Sequence, residues 1–195
     1  DRFAEVRGFI ESRNNNIISV FLGCALACLD DRISVWTNKF TCPGWMVVPR
    51  NPHPFGNEYH IICFCLSGIL FFMEIVEGKD RPRELGLKEF EEKGKTVGLL
   101  LRVTRPIWNT GTVVVLDSGF CVVKGIVELK RKGVYTGALI KKRRYWPAGV
   151  PGDAINQYME DKEVGDMDAL KCSLDGIDFH VYTMKEPDYT MMIMS

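Results

Sequence analysis

Two short apolar runs in this chain stop at an aspartate. Cys24-Ala-Leu-Ala-Cys-Leu29 leads into Asp30-Asp31, and Thr112-Val-Val-Val-Leu116 leads into Asp117. Continuous apolar runs of this length read as buried strands, so each would deliver a carboxylate at its end. If the strands are parallel neighbours at the centre of a sheet, Asp30 and Asp117 face each other across one edge. Two anions about 4 Å apart at an effective dielectric near 20 repel by about 4 kcal/mol. Such a pair needs a shared proton or a cation. Hard divalent ions take oxygen ligands, and Mg²⁺ is held by one or two carboxylates plus substrate phosphates. Paired ions then stabilise the attacking and leaving oxygens at a phosphodiester. Asp after a strand is also ordinary turn chemistry, and spacing alone leaves both readings open.

The elements that must position these acids can be read along the chain. Phe3, Val6, Phe9, Ile10, Ile17 and Phe21 make a helical stripe over residues 1–21, interrupted by Asn14-Asn15-Asn16. Residues 37–57 hold four prolines and two glycines and read as a long irregular connection with a short strand near Met46-Val47-Val48. Long loops inside a domain are usually functional or disordered. A hairpin is expected from Tyr59–Leu66 and Ile69–Val76 around Ser67-Gly68. Residues 79–95 are polar helix or loop, and Val97–Val103 is the buried end of a helix. Phe120, Val123, Ile126, Val127 and Leu129 space as an amphipathic helix that stops at Gly133. Val134, Thr136, Ala138 and Ile140 alternate as a strand. A short helix should follow Pro151, then a hairpin of Cys172–Leu174 and Ile177–Met184 around Asp175-Gly176 and a last strand at Tyr189–Met194. Antiparallel strands first and βαβ units later predict an α/β protein, a mixed sheet with helices packed on it.

Composition bounds the function. The 195 residues suit one domain, and 25 basic against 25 acidic side chains give zero formal charge. That excludes a protein that grips nucleic acid by bulk positive charge, so any contact must come from local patches. Ile61–Val76 is too short and too interrupted for a membrane span, no secretory leader is expected, and no membrane partner is implied. Seven scattered cysteines, an odd count, point to a reducing compartment with thiols packed as small hydrophobes.

Lys141-Lys142-Arg143-Arg144-Tyr145-Trp146 is the one dense basic cluster. It reads as a phosphate-contacting patch whose Tyr145 or Trp146 could stack on a base, or as a solvated strand end with its aromatics folded back. Cys24, Cys28, Cys63 and Cys65 lack the paired short spacings of a zinc site. His53, His60 and His180 show no pairing, and the acidic run Glu89–Glu92 is a solvated helix face.

Several motifs together resemble one family. Cys28-Leu-Asp-Asp-Arg-Ile-Ser-Val-Trp36, Pro43-Gly-Trp-Met-Val-Val-Pro-Arg50, Pro54-Phe-Gly-Asn-Glu-Tyr-His60, Glu74-Ile-Val-Glu-Gly-Lys79, Val113-Val-Val-Leu-Asp-Ser-Gly-Phe-Cys121 and Leu129-Lys-Arg-Lys-Gly-Val-Tyr135 are similar, in order, to stretches of the piggyBac DNA transposases. The resemblance implies a ribonuclease H-like mixed sheet with a β-rich C-terminal extension. It also implies a catalytic Asp triad with two Mg²⁺ ions, cutting at transposon ends and rejoining at TTAA targets in the nucleus, with a homodimer as a further implied partner. Asp30 falls at the first Asp of the family and Asp117 at the second, as catalytic and metal-binding residues. Lys141, Lys142, Arg143 and Arg144 fall to DNA binding. The implied division is a leading helix or linker at 1–22, a core lacking its last part at 23–147, and the start of a β-rich insertion at 148–195. Asp31-Arg32 departs from the family's Glu and small polar residue, and the third Asp belongs beyond the strands that Tyr182–Met184 and Met191–Met194 resemble. An incomplete or domesticated transposase is one expectation. A non-catalytic nucleic-acid or chromatin-binding module, or a protein-interaction scaffold, is the alternative.

Overall fold

The computed structural model describes residues 3–21, 23–49, 51–77, 90, 92–142 and 146–194. Most of the polar stretch 79–95, including most of the acidic run, lies outside the described residues, as do Arg143, Arg144 and Tyr145.

Nine strands form one mixed sheet. They are β1 (Leu26–Val35), β2 (Met46–Val47), β3 (Phe55–Phe64), β4 (Leu70–Ile75), β5 (Val113–Leu116), β6 (Tyr135–Ile140), β7 (Met167–Leu174), β8 (Ile177–Lys185) and β9 (Thr190–Met194). The order is β2-β3-β1-β5-β6-β9-β8-β7, with β4 also on β3. β1, β5 and β6 are parallel, and the other pairings are antiparallel. Among the described residues the α-helices are α1 (Ala4–Val20), α2 (Lys95–Thr104), α3 (Val123–Arg131) and α4 (Gly152–Glu160). This is the α/β mixed sheet expected from the sequence.

Strand alternation decides which side of the sheet is core. Ala27, Leu29, Ile62, Phe64, Val114, Leu116, Ala138, Ile140, Phe179, Val181, Met192 and Met194 point inward and are almost fully buried. Leu100, Leu101 and Val103 of α2 and Ile126, Val127 and Leu129 of α3 cover them. Gly125 lets α2 and α3 approach, since a Cβ there would lie 2.6 Å from Leu100 Cδ1. Gly133, at φ 65°, closes α3 in the left-handed cap expected of it. Asp175 and Gly176 both take positive φ, which is the turn that dipeptide predicts.

Three features differ from expectation. β1 does not stop at Asp30 but runs on to Val35, because β3 continues beside it out to Gly56. The hairpin strand β7 starts at Met167, well before Cys172. Finally, β9 pairs with β6, so the sheet continues across residue 147 into the C-terminal segment. No described helix is long and apolar enough to cross a membrane.

Candidate active site

Leu26 to Leu29 of β1 lie in parallel register with Val113 to Leu116 of β5. Asp30 and Asp117 are the next residues on two neighbouring strands, whose spacing is about 4.8 Å. Leu29 and Leu116 point into the core, at 1% and 2% exposure; alternation within β1 turns Asp30 to the opposite, open face, and Asp117 directly follows the last residue of β5. Both are exposed. The Asp31 N–H donates to Asp30 Oδ1 at 2.8 Å, and the Gly119 N–H donates to Asp117 Oδ2 at 3.4 Å. Neither carboxylate takes part in an ion pair among the described residues. Arg32, on the same face as Asp30, forms none with them either, so no described cation neutralises the pair.

Asp31 occupies the other face. Its cross-strand partner is His60, and Glu58 lies two residues from His60 on the same side. Ligand atoms of Asp31, Glu58 and His60 lie within 4.8 Å of one another. His60 Nε2 is 3.5 Å from Asp31 Oδ1, and its Nδ1 is 3.6 Å from Glu74 Oε1. Burial pushes the Asp31 carboxyl above its ordinary range; His60 opposes this, while the charges of Glu58, Asp30 and Asp117 add to it. Burial would also raise Glu74, but the Arg102 guanidinium donates to both its oxygens, at 2.5 and 2.7 Å, and with His60 holds the group below the usual range. The three-donor set is one that could hold a cation. His60, which shows no pairing in the sequence, gains Asp31 and Glu58 as neighbours through the β1–β3 register.

Basic and sulfur groups sort differently from their sequence reading. Lys141 and Lys142 follow β6 at the same carboxyl edge, just past the level of Asp117. Lys142 Nζ is 2.6 Å from Asp153 Oδ1, an exposed pair of the kind that contributes little. Trp146 is half-buried: its indole N–H donates to Asp153 at 2.9 Å and its ring lies against Gly152, where a Cβ would collide with it. It belongs with the core and not with a stacking surface. All seven cysteines are free, and only Cys42 and Cys121 are buried, so the expectation of packed thiols holds for those two. Burial pushes the Cys121 thiol up to about 12, which keeps it from acting as a nucleophile beside Asp117. Cys28 faces Cys63 across β1–β3, but among the described residues no three thiols converge on a metal position.

Asp30, within β1, and Asp117, directly after β5, lie at neighbouring positions of a mixed α/β sheet, the fold class expected of a ribonuclease H-like protein. The family model described as Transposase IS4 matches residues 1–194, and the chain belongs to that family. A solved structure, described as a cryo-EM structure of the piggyBac transposase synaptic complex with hairpin DNA, superposes with a TM-score of 0.76 at 14% identity. The superposition covers 100% of this chain and 38% of that one, so the chain spans well under half of its structural relative. No curated protein matches in sequence.

Proposed function

We propose that this chain supplies two carboxylates, Asp30 and Asp117, to a metal-assisted site that cleaves and transfers DNA strands. The observation that carries the reading is the parallel register that sets Leu29 beside Leu116. The donor set fits a hard divalent ion: two exposed carboxylates side by side, each anchored through one oxygen by a backbone N–H and unneutralised by any described cation. Asp30 and Asp117 would hold Mg²⁺, with water and phosphate oxygens completing its shell. When bound, Mg²⁺ activates water or a 3′-hydroxyl and stabilises the leaving oxygen. The chain's own part is to fix the two acids on rigid central strands and to present them on an open face. The third carboxylate implied by the piggyBac resemblance would reach the pair from that face. Lys141 and Lys142 would contact phosphates along the same edge, and Arg143 and Arg144 follow them in the sequence. The structural relative is a synaptic complex with hairpin DNA, which makes transposon ends the substrate to test, with TTAA targets, a homodimer and a nuclear site of action following from the same kinship. An incomplete catalytic domain, or one domesticated to another use, fits within this reading.

The test is nicking of hairpin or transposon-end DNA in Mg²⁺ or Mn²⁺. Asp30→Ala and Asp117→Ala should each reduce it at least about a hundredfold, because even groups that merely orient a metal ligand cost about 10- to 100-fold. Undiminished nicking by Asp30→Ala would sink the reading. A second reading rests on Arg32, a cation two residues from Asp30 on the same face, and on Asp31 where the family has Glu. Those departures suit a module that keeps DNA binding without cleavage. It predicts DNA retention with no metal-dependent nicking.

A further inference from the structure

We infer that the arm formed by the end of β1, the connection through β2 and the start of β3 is a stacking platform for unpaired nucleic-acid bases. The stretch from Arg32 to Asn57 carries Arg32, Lys39 and Arg50 and no acidic residue, within a chain whose formal charge is zero. Four aromatic side chains sit on it. Phe40 is 83% exposed, Trp36 48% and Phe55 43%, and Trp45 stacks on Phe55 with ring centroids 5.8 Å apart and planes 7° from parallel. Lys39 Nζ lies 5.0 Å from the Phe40 ring centre.

The arm is built, not loose. The Trp45 indole N–H donates to the Trp36 carbonyl, and the Trp36 indole N–H donates to Thr41 Oγ1, each at 2.9 Å. The buried Asn57 side-chain amide donates to the Pro43 and Gly44 carbonyls at 3.1 and 3.2 Å. Both indole donors are therefore used inside the arm, and Trp45 and Phe55 share one stacked face, which leaves the exposed rings of Phe40 and Trp36 as the part that stacks on any base without reading its sequence. Position adds the second argument. β5 ends at Leu116, whereas β1 continues from Asp30 to Val35 beside β3. Six residues at about 3.3 Å each put Trp36 roughly 20 Å beyond Asp30 along the strand. An extended strand leaving the Asp30–Asp117 edge would run along this arm. Cationic side chains with exposed aromatics and no competing acids are the chemistry of single-stranded nucleic acid, and the placement beside a strand-cleavage edge rests on the function proposed above.

The test uses a fluorescent single-stranded oligonucleotide and a matched duplex, titrated by anisotropy in EDTA so that no cleavage contributes. Phe40→Ala and Trp36→Ala should each weaken single-strand binding about tenfold and leave duplex binding unchanged. Phe40→Trp should keep wild-type binding, and Lys39→Gln should reduce the single-strand salt slope by about 0.7. Melting temperatures are compared in parallel, and Phe40→Ala, at a residue 83% exposed, is the variant read if Trp36→Ala fails to fold. Unchanged single-strand affinity in Phe40→Ala overturns the inference. So does a variant that loses only self-association in sedimentation, which would make the arm a protein interface. Weak single-strand binding with intact metal-dependent nicking defeats this inference and spares the proposed function; strong binding without nicking does the reverse.

Discussion

Glu128 is nearly buried, with a side-chain exposure of 10%, and it holds two cations at once. Lys93 Nζ lies 2.9 Å from one of its oxygens, and Arg131 lies 2.7 Å from the other. The Lys93 hydrogen bond, with Arg131 behind it and burial opposing, keeps the carboxyl below its ordinary range. A depressed folded-state value means stability that is present above the unfolded carboxylate value, about 4.3, and lost as pH falls through the folded one. Glu128→Gln should therefore cost about 1–2 kcal/mol at pH 7, a figure held down by the exposure of both cations. The difference from wild type should shrink below pH 4 in denaturant titrations. A penalty that stays constant down to pH 3 would show that packing, not charge, is what Glu128 contributes. The same scale shows what the sequence could disclose. Leu29 and Leu116 are apolar and end continuous runs, so the sequence alone marks Asp30 and Asp117 as the residues that follow two buried strand segments. His60 gave no such signal, because its neighbours Asp31 and Glu74 come from other strands and the pairing register is not written in local pattern.

At the scale of elements, α1 answers a problem that β4 creates. β4 pairs only with β3, which leaves its outer edge with unpaired backbone groups. Asn14 meets them as a strand would: its side-chain amide donates to the Met73 carbonyl at 2.8 Å, and its Oδ1 accepts from the Met73 N–H at 3.2 Å. Arg13 donates to the carbonyls of Leu70 and Phe71. The Asn14-Asn15-Asn16 run that weakens the helical stripe thus contains the residue that docks the helix. Asn14→Ala should destabilise by about 1–3 kcal/mol, the cost of leaving buried backbone groups unsatisfied. Amide exchange should quicken first at Met73; if only α1 frays while Met73 stays protected, the docking argument fails. Helices α2 and α3 and the hairpin turns were legible because periodicity, Gly133 and Asp175-Gly176 are local signals. The length of β1 was not, since Asp30-Asp31-Arg32 breaks the apolar run and only pairing with β3 makes it strand.

For the whole molecule, the two faces of the sheet are unequal. Val113-Val-Val-Leu116 is the continuous apolar pattern of a parallel strand covered on both sides, yet Val115 is 44% exposed. Leu139, Ile193 and Tyr182 stand in direct register across β6, β9 and β8 on that same face, at 39%, 36% and 42% exposure. Together they form an apolar stripe beside the Asp30–Asp117 edge. Stripes of this kind bind hydrophobic dyes and promote association, and the zero net charge of the chain does nothing to oppose it. The stripe should therefore make the described domain bind anilinonaphthalene sulfonate while fully folded. Leu139→Glu combined with Ile193→Lys places opposite charges across one β6–β9 pair, an exchange worth about 0.2–1 kcal/mol in favour of the sheet. That double variant should lose most of the dye signal and sediment as a smaller species, with a melting temperature within a few degrees of wild type, since a 1 kcal/mol change moves a domain of this size by about 2–4 °C. Dye binding that survives both substitutions would place the exposed apolar surface elsewhere and remove the stripe's claim to be what the second face of this sheet lacks.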